Sequence, residues 1–201
     1  MTGSGTVINV IQPELGSSLV VFGSGAVGLS ALMAANIVGC SKIIAVDIHQ
    51  DRLELAKSLG ATHIINSAKQ DVVKTIQSIT DGGANYSFET TGVDTVELQA
   101  ISCLRNYGKM TTVAVGEKDI KINLFKDIVI RNLTIRGAIE GDAVPQPLIP
   151  KLIDFWRLGK FPFDKLVKFY KPEAIKQAFA DSKSGKVIKP VIVFDQNYLG
   201  K

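Results

Sequence analysis

The chain has 201 residues, 46% of them apolar and 21% charged, with 23 Lys and Arg against 19 Asp and Glu for a formal charge of +4. That length buries a substantial core as one or two domains, and the composition is that of a soluble globular protein. The positive charges are scattered through helices rather than gathered into one stripe with aromatics between, which argues against a nucleic-acid binder. Cys40 and Cys103 belong to no CxxC pair and have no His at ligand spacing, which argues against a zinc finger or a disulfide framework. They read as buried free thiols in a reducing cytosol. The N-terminus lacks the basic-then-apolar form of a signal peptide. The longest apolar stretch, residues 27–39, holds Ser30 and Asn36 and is too short to span a bilayer. A soluble, cytoplasmic protein is expected, with no membrane partner.

Taken in chain order, residues 19–22 form a wholly apolar run of the kind buried on both faces of a parallel sheet. An apolar, Ala-rich helix follows over 25–38, then a strand over 42–46 and a helix over 50–59 ended by Gly60 as C-cap. A third strand spans 63–65, and Val72, Ile76 and Ile79 stand at helical spacing within 71–79. Strands at 86–89, 109–115 and 133–136 complete a set of six, with a helix over 95–104. Strands alternating with helices of this length imply parallel pairing and crossovers, so a doubly wound α/β sheet is predicted. After Gly137, Pro145, Pro147 and Pro150 punctuate a predicted loop, and 151–158 reads as a helix. Phe161-Pro162-Phe163 makes another break, followed by a helix over 173–182 and a strand over 187–194 interrupted by Pro190. Proline confines that strand to an edge, or to pairing with something outside the chain. The expected division is 1–160 for the sheet domain and 161–201 for a C-terminal helix and strand.

Gly23-Ser24-Gly25-Ala26-Val27-Gly28 reads GxGxxG, directly between the first strand and the first helix. In that position each glycine has a mechanical task. Gly23 permits the tight turn, Gly25 lets backbone approach a pyrophosphate, and Gly28 lets the helix pack close to the strand. The helix N-terminus then offers free N–H groups to phosphates. Asp47 follows Gly28 by 19 residues at the end of the second strand, near the offset of the acid that binds an adenosine ribose. A carboxylate there accepts both ribose hydroxyls and repels a 2′-phosphate. Ile48 stands where an NADP enzyme often places Arg or Ser, so NAD is predicted over NADP. Arg52, one helical turn on, reads either as a ribose contact or as an exposed cation. His49 and His63 have no Ser, Cys or carboxylate at catalytic spacing, and Lys183-Ser184-Gly185-Lys186 reads as a solvated turn.

With these residues in place, the sequence resembles the medium-chain, zinc-dependent alcohol dehydrogenases. Thr2-Gly3-Ser4-Gly5 looks like the TGxG helix start that leads into their cofactor domain, and "VFGSGAVGLSALMAANIVG", "IIAVDIHQDRLELAKSLGATHIIN", "FETTG" and "SGKVIKPVIVF" continue it in order. The stretch "GAIEGDAVPQPLIPKLIDFWRLGKFPFDKL" is most similar to the aryl-alcohol (benzyl-alcohol) branch. The resemblance implies a Rossmann fold, and Asp47 with Arg52 on the adenosine ribose. It places Thr90, Thr91 and Val93 on a loop flanking the adenine and nicotinamide ribose, and Val113 and Val115 beside the nicotinamide. Backbone groups of Ala138, Ile139 and Glu140 meet the carboxamide, and Lys189 falls where relatives place an Arg on the pyrophosphate.

The family's catalytic zinc is held by two Cys and one His upstream of the TGxG helix, where it polarises the alcohol. On this reading the chain belongs to a longer enzyme that oxidises an alcohol to an aldehyde. The chain alone is expected to bind NAD without turning over. The resemblance also implies a homodimer or tetramer through the edge formed by 133–136 with 120–122, and exposed apolar surface or disorder over 173–194. A stand-alone redox-sensing module and a zinc-free quinone reductase are the alternatives. A methyltransferase is disfavoured by the third glycine and the sixth strand.

Overall fold

Residues 1–195 are described by a computed structural model. Two units follow one another along the chain, Met1–Phe161 and a smaller one beginning at Pro162. The first opens with a short helix, α1 (Thr2–Gly5), that runs on as π-helix over Thr6–Ile11. Next come β1 (Ser18–Phe22), α2 (Ala26–Ile37), β2 (Lys42–Asp47), α3 (Gln50–Ser58) and β3 (His63–Asn66). The second half of the sheet uses α4 (Val72–Thr80), β4 (Ala84–Glu89), α5 (Asp94–Ser102), β5 (Leu104–Thr112) and β6 (Thr134–Gly137), and α6 (Pro145–Arg157) follows.

The six strands lie in the order β3-β2-β1-β4-β5-β6, each pair parallel, which is the doubly wound arrangement expected from the sequence. The apolar run of β1 is buried at every position because it lies at the centre with both faces covered. Val20, Phe22, Ile44, Val46 and Ile65 pack with Ile76 of α4 and with Ala100 and Ile101 of α5. Asp71 starts α4 by accepting the Lys74 N–H at 3.1 Å, one of the donors that a helix start leaves unpaired. No helix of the described residues is long and apolar enough to cross a membrane.

Four sequence expectations are corrected. The helix over 95–104 ends at Ser102, and β5 begins at Leu104 and stops at Thr112, so Val113 and Val115 lie past its end. Leu104 pairs with Ala84 and Lys109 with Tyr86, so residues 105–108 bulge out opposite Asn85. The apolar alternation that marks a strand is broken there, which hid its first half. Secondly, Pro145 and Pro147 do not make a loop but occupy the first turn of α6, where an N–H has no helical partner to lose. Only Pro150, further inside, removes a helical hydrogen bond. Thirdly, residues 120–122 form no strand. Ile120 and Ile122 instead pack against the core as coil. Finally, a strand that the sequence reading missed, β7 (Val167–Tyr170), partners the proline-bearing one, β8 (Lys189–Ile192).

In the second unit β7 and β8 are parallel, and α7 (Ile175–Lys183) connects them. Pro190 is tolerated because each strand of a two-stranded sheet has an open side. Asp181 ties the unit together: its carboxylate accepts from Tyr170 Oη at 2.7 Å and Gln177 Nε2 at 2.7 Å, with Lys168 and Lys186 at 3.8 and 3.9 Å. These hydrogen bonds, Tyr170's first, hold its carboxyl below the usual range, while burial and the same contact push the Tyr170 phenol up to about 12. Phe169, Phe179 and Phe194 stand exposed.

A depressed carboxyl pKa contributes stability above the ordinary value of 3.8, and that contribution is lost as pH falls through the depressed one. The Asp181→Asn variant is therefore expected to melt below the wild type at neutral pH. The two curves should converge under acid below pH 3.8, as followed by circular dichroism.

Candidate functional site

The parallel register aligns the carboxyl ends of five strands. Phe22 stands opposite Val46 on one side and Glu89 on the other, Glu89 opposite Thr112, and Thr112 opposite Gly137. The next residue on each strand continues the ladder. Gly23 N donates to Val46 O at 2.8 Å, Thr90 N to Phe22 O at 3.1 Å, Val113 N to Glu89 O at 3.3 Å and Ala138 N to Thr112 O at 3.0 Å. Asp47, Gly23, Thr90, Val113 and Ala138 thus make one row along the rim of the sheet, all of them residues singled out by the sequence. The strand order reverses between β1 and β4, so Gly23 and Thr90 flank the crevice where doubly wound sheets take ligands.

Within the glycine turn the three glycines differ physically. Gly23 has φ +93° and lies under Thr90: a methyl group there would come within 2.6 Å of Thr90 Oγ1. At Gly28 a methyl group would sit 1.8 Å from the Gly23 carbonyl oxygen and 3.2 Å from a Val21 methyl. Gly25, extended at φ −81° as the N-cap of α2, has nothing within 4 Å of that position. Two glycines are therefore demanded by the fold, while the third faces open space. Ala26 and Val27 form the first turn of α2, and Ser24 is fully buried with its Oγ unpartnered. The TGSG segment serves the same helix. A methyl group at Gly3 would be 1.9 Å from Val27 O, so α1 rests directly on α2.

Asp47 is buried, its Oδ2 accepting from Ser24 N at 2.7 Å and its Oδ1 from His49 N at 2.9 Å. The carboxylate thereby fixes the glycine turn to β2, and each oxygen keeps acceptor capacity. Ile48 beside it is exposed. Arg52, on the first turn of α3, has its Nε buried without a hydrogen-bond partner. Ser24 Oγ, Arg52 Nε and Thr112 Oγ1 are three of the four such atoms among the described residues: Ser24 lies just past β1, Thr112 ends β5 and Arg52 stands in the first turn of α3. Buried polar atoms are normally paired, so each of these can take a partner from outside the chain.

On the other side of the crevice, Thr90 Oγ1 donates to Phe22 O at 2.7 Å. Thr91 and Val93 are exposed, and Thr91 Oγ1 accepts from Val93 N at 3.2 Å at the start of α5. Val115 is 93% exposed, and Ile139 is 85% exposed. Glu140 accepts from Thr2 Oγ1 at 2.8 Å, and the turn it belongs to is held by the Arg136–Asp142 ion pair at 2.6 Å. Lys189 opens β8 in the second unit, opposite Val167.

One residue absent from the sequence-level set is Glu89, fully buried at the end of β4, whose carboxylate is enclosed by N–H groups of Thr91 and Gly92. The signal for it was an acid as the last, fully buried residue of a strand. Near it, burial, and then the charges of Glu89 and Asp94, raise the Glu97 carboxyl above its ordinary range. Metal chemistry finds no support in these side chains. No three His, Cys, Asp or Glu side chains are gathered for a metal among the described residues. Cys103 donates to Ala100 O with its thiol pushed up to about 12 by burial, and Cys40 is likewise buried and raised. A zinc ion does not fit here.

A doubly wound sheet with a glycine turn and a rim acid defines a dinucleotide-binding class of protein. The zinc-binding dehydrogenase family model matches residues 26–156, and the chain belongs to that family. It is 40% identical over 195 residues to a geraniol dehydrogenase of Castellaniella defragrans, covering 96% of this chain and 52% of that protein. Among solved structures, an alcohol dehydrogenase zinc-binding domain protein from Burkholderia ambifaria superimposes with a TM-score of 0.94 at 47% identity, over 97% of this chain and 53% of that one. Benzyl alcohol dehydrogenase from Acinetobacter calcoaceticus gives 0.93 at 45% identity, over 96% and 54%. The chain spans about half the length of the relatives it matches.

The glycine geometry gives a paired expectation. Gly28→Ala forces a backbone clash costing about 2–3 kcal/mol, enough to lower Tm by roughly 5–10 °C. Gly25→Ala meets no clash and loses only a favoured N-cap residue, at most about 1 kcal/mol, so it should melt well above Gly28→Ala. A scanning-calorimetry experiment on the two variants checks both.

Proposed function

We propose that this chain holds NAD as the cofactor-binding part of an NAD-dependent alcohol dehydrogenase. The observation that carries the reading is Gly25: its backbone is extended, unstrained and open to empty space, directly beside a buried acid and the start of a helix. A close-lying ligand would fill the space that a side chain there would occupy. The N–H groups of Gly25 to Gly28 and the Ser24 hydroxyl hold the pyrophosphate. Asp47 and Arg52 take the adenosine ribose, with Ile48 alongside. Thr90, Thr91 and Val93 border the riboses, Val113 and Val115 the nicotinamide, and Ala138 to Glu140 its carboxamide.

Bound NAD supplies a hydride acceptor. What these residues contribute is binding, orientation and the exclusion of water. The enzyme's alcohol is proposed to be of the aryl, benzyl-alcohol type, supported by 45% identity to a benzyl alcohol dehydrogenase. The zinc-ligating side chains of the resemblance have no counterpart among the described residues, so this chain alone is proposed to bind cofactor without oxidising alcohol. Two buried free thiols suit the reducing cytoplasm.

Assembly through β6 is also proposed. It is the edge strand of the six-stranded sheet, Ile135 on it is exposed, and so are Leu124, Phe125, Val129 and Ile130 just before it. An uncovered apolar edge is a pairing surface, and a second copy fits it by two-fold symmetry.

Isothermal titration should show NADH binding more tightly than NADPH, and Gly25→Ala should weaken NADH by about a hundredfold or more, a loss of roughly 3 kcal/mol, without loss of fold. Tighter NADPH binding, or a Gly25→Ala variant that binds normally, contradicts the reading. For the assembly, sedimentation should find a dimer that Ile135→Lys converts to monomer. A wild-type monomer at every concentration removes that part.

A further inference from the structure

We infer that Glu89 is a positioning residue for the nicotinamide side of the site, setting the turn that follows β4 and, through it, the turn that follows β5. The inference rests on the NAD reading above.

Glu89 is 0% exposed, and no ion pair to it occurs among the described residues. A buried carboxylate without a cation is costly unless its oxygens are fully hydrogen-bonded. Here the chain's own next turn meets that demand. Oε1 accepts from Thr91 N at 2.6 Å, from Thr91 Oγ1 at 2.5 Å and from Gly92 N at 3.3 Å, and Oε2 accepts from Gly92 N at 3.1 Å. Successive N–H groups curl around an anion, as in the backbone nests that bind free phosphate, but the anion is a side chain three residues back. The turn has to stay curled, because opening it strands a charge in the core.

That curl has two consequences for the rim. Gly92 is held at φ +69°, where a methyl group would lie 2.6 Å from Val115 O and 3.3 Å from the Ala114 side chain. The backbone of residues 114 and 115 therefore rests on Gly92, and Val113 N donates to Glu89 O at 3.3 Å. On the other flank, Thr90 is fixed over Gly23 through Phe22 O. Glu89 is not itself assigned to the cofactor, but it bonds Thr91 and Val113, which are, and Val93 and Val115 follow from the turns it holds. The glycine turn and Asp47 have their own mutual tie and do not depend on it.

Glu89→Gln keeps the size but offers one acceptor oxygen and turns an NH2 group toward backbone donors. The test measures ADP, which reaches the glycine turn, the Asp47 side and the adenine end of the loop over 90–93, against NADH, which also reaches Val113 and Val115. By titration calorimetry, Glu89→Gln should weaken NADH by about tenfold while ADP stays within about twofold. Glu89→Asp, which keeps the charge but shortens its reach to the Thr91 and Gly92 donors, should shift the NADH-to-ADP ratio the same way by about threefold. A purely structural role lowers Tm and leaves that ratio unchanged, and an unchanged ratio in both variants overturns the inference. If Glu89→Gln does not fold, Glu89→Asp decides alone by the same ratio. A wild-type chain that binds neither ADP nor NADH refutes the NAD reading and this inference with it. A wild type that binds both, with variants of unchanged ratio, refutes only the positioning role.

Discussion

Everything at the rim depends on the parallel hydrogen-bond ladder running one residue past the strand ends. A parallel sheet spaces its strands evenly and slants its hydrogen bonds, so each strand's last carbonyl is left to accept from a neighbour's next N–H. Here Val46, Phe22, Glu89 and Thr112 all have that carbonyl filled, by Gly23, Thr90, Val113 and Ala138. Residues that sequence numbering scatters over more than ninety positions are thereby brought to one height. The turns inherit the order of the sheet rather than having to create their own.

Two buried carboxylates complete the arrangement, and neither uses a cation to do so. Asp47 accepts from Ser24 N and His49 N, and Glu89 from Thr91 and Gly92. Backbone N–H groups are donors whose positions are set by the chain path, so a carboxylate that satisfies itself on them dictates that path. Asp47 does this between β1 and β2, Glu89 between β4 and β5. The crevice at the switch in strand order lies between the two.

The alternating strands and helices, the glycine turn and its acid were all legible because each leaves a local mark. Buried central strands read as apolar runs, and a glycine demanded at 1.8 Å has no substitute. What escaped was decided by contacts distant in sequence or by position within an element. Pro145 to Pro150 look like a loop by composition, but a proline in the first helical turn loses nothing. The first half of β5 was hidden by the four-residue bulge around Tyr107, whose N–H is taken by Arg131 O. Val167 to Tyr170 reads Val-Lys-Phe-Tyr in a two-stranded sheet with no buried position, so burial writes no pattern. Glu89 was passed over because an acid at a strand end is unremarkable until the turn after it is seen to close on it.

The continuation of the ladder also bears on how a ligand meets this protein. Loops that bind nucleotides are often ordered only when the ligand arrives, and their affinity is reduced by the entropy of that ordering. Here Gly23, Thr90 and Val113 carry backbone hydrogen bonds continuous with the core, so their order is established when the chain folds. For the proposed cofactor, that removes the cost of ordering these loops from binding. The crevice would open and close with the sheet itself, as one cooperative unit, and would survive for as long as the sheet does.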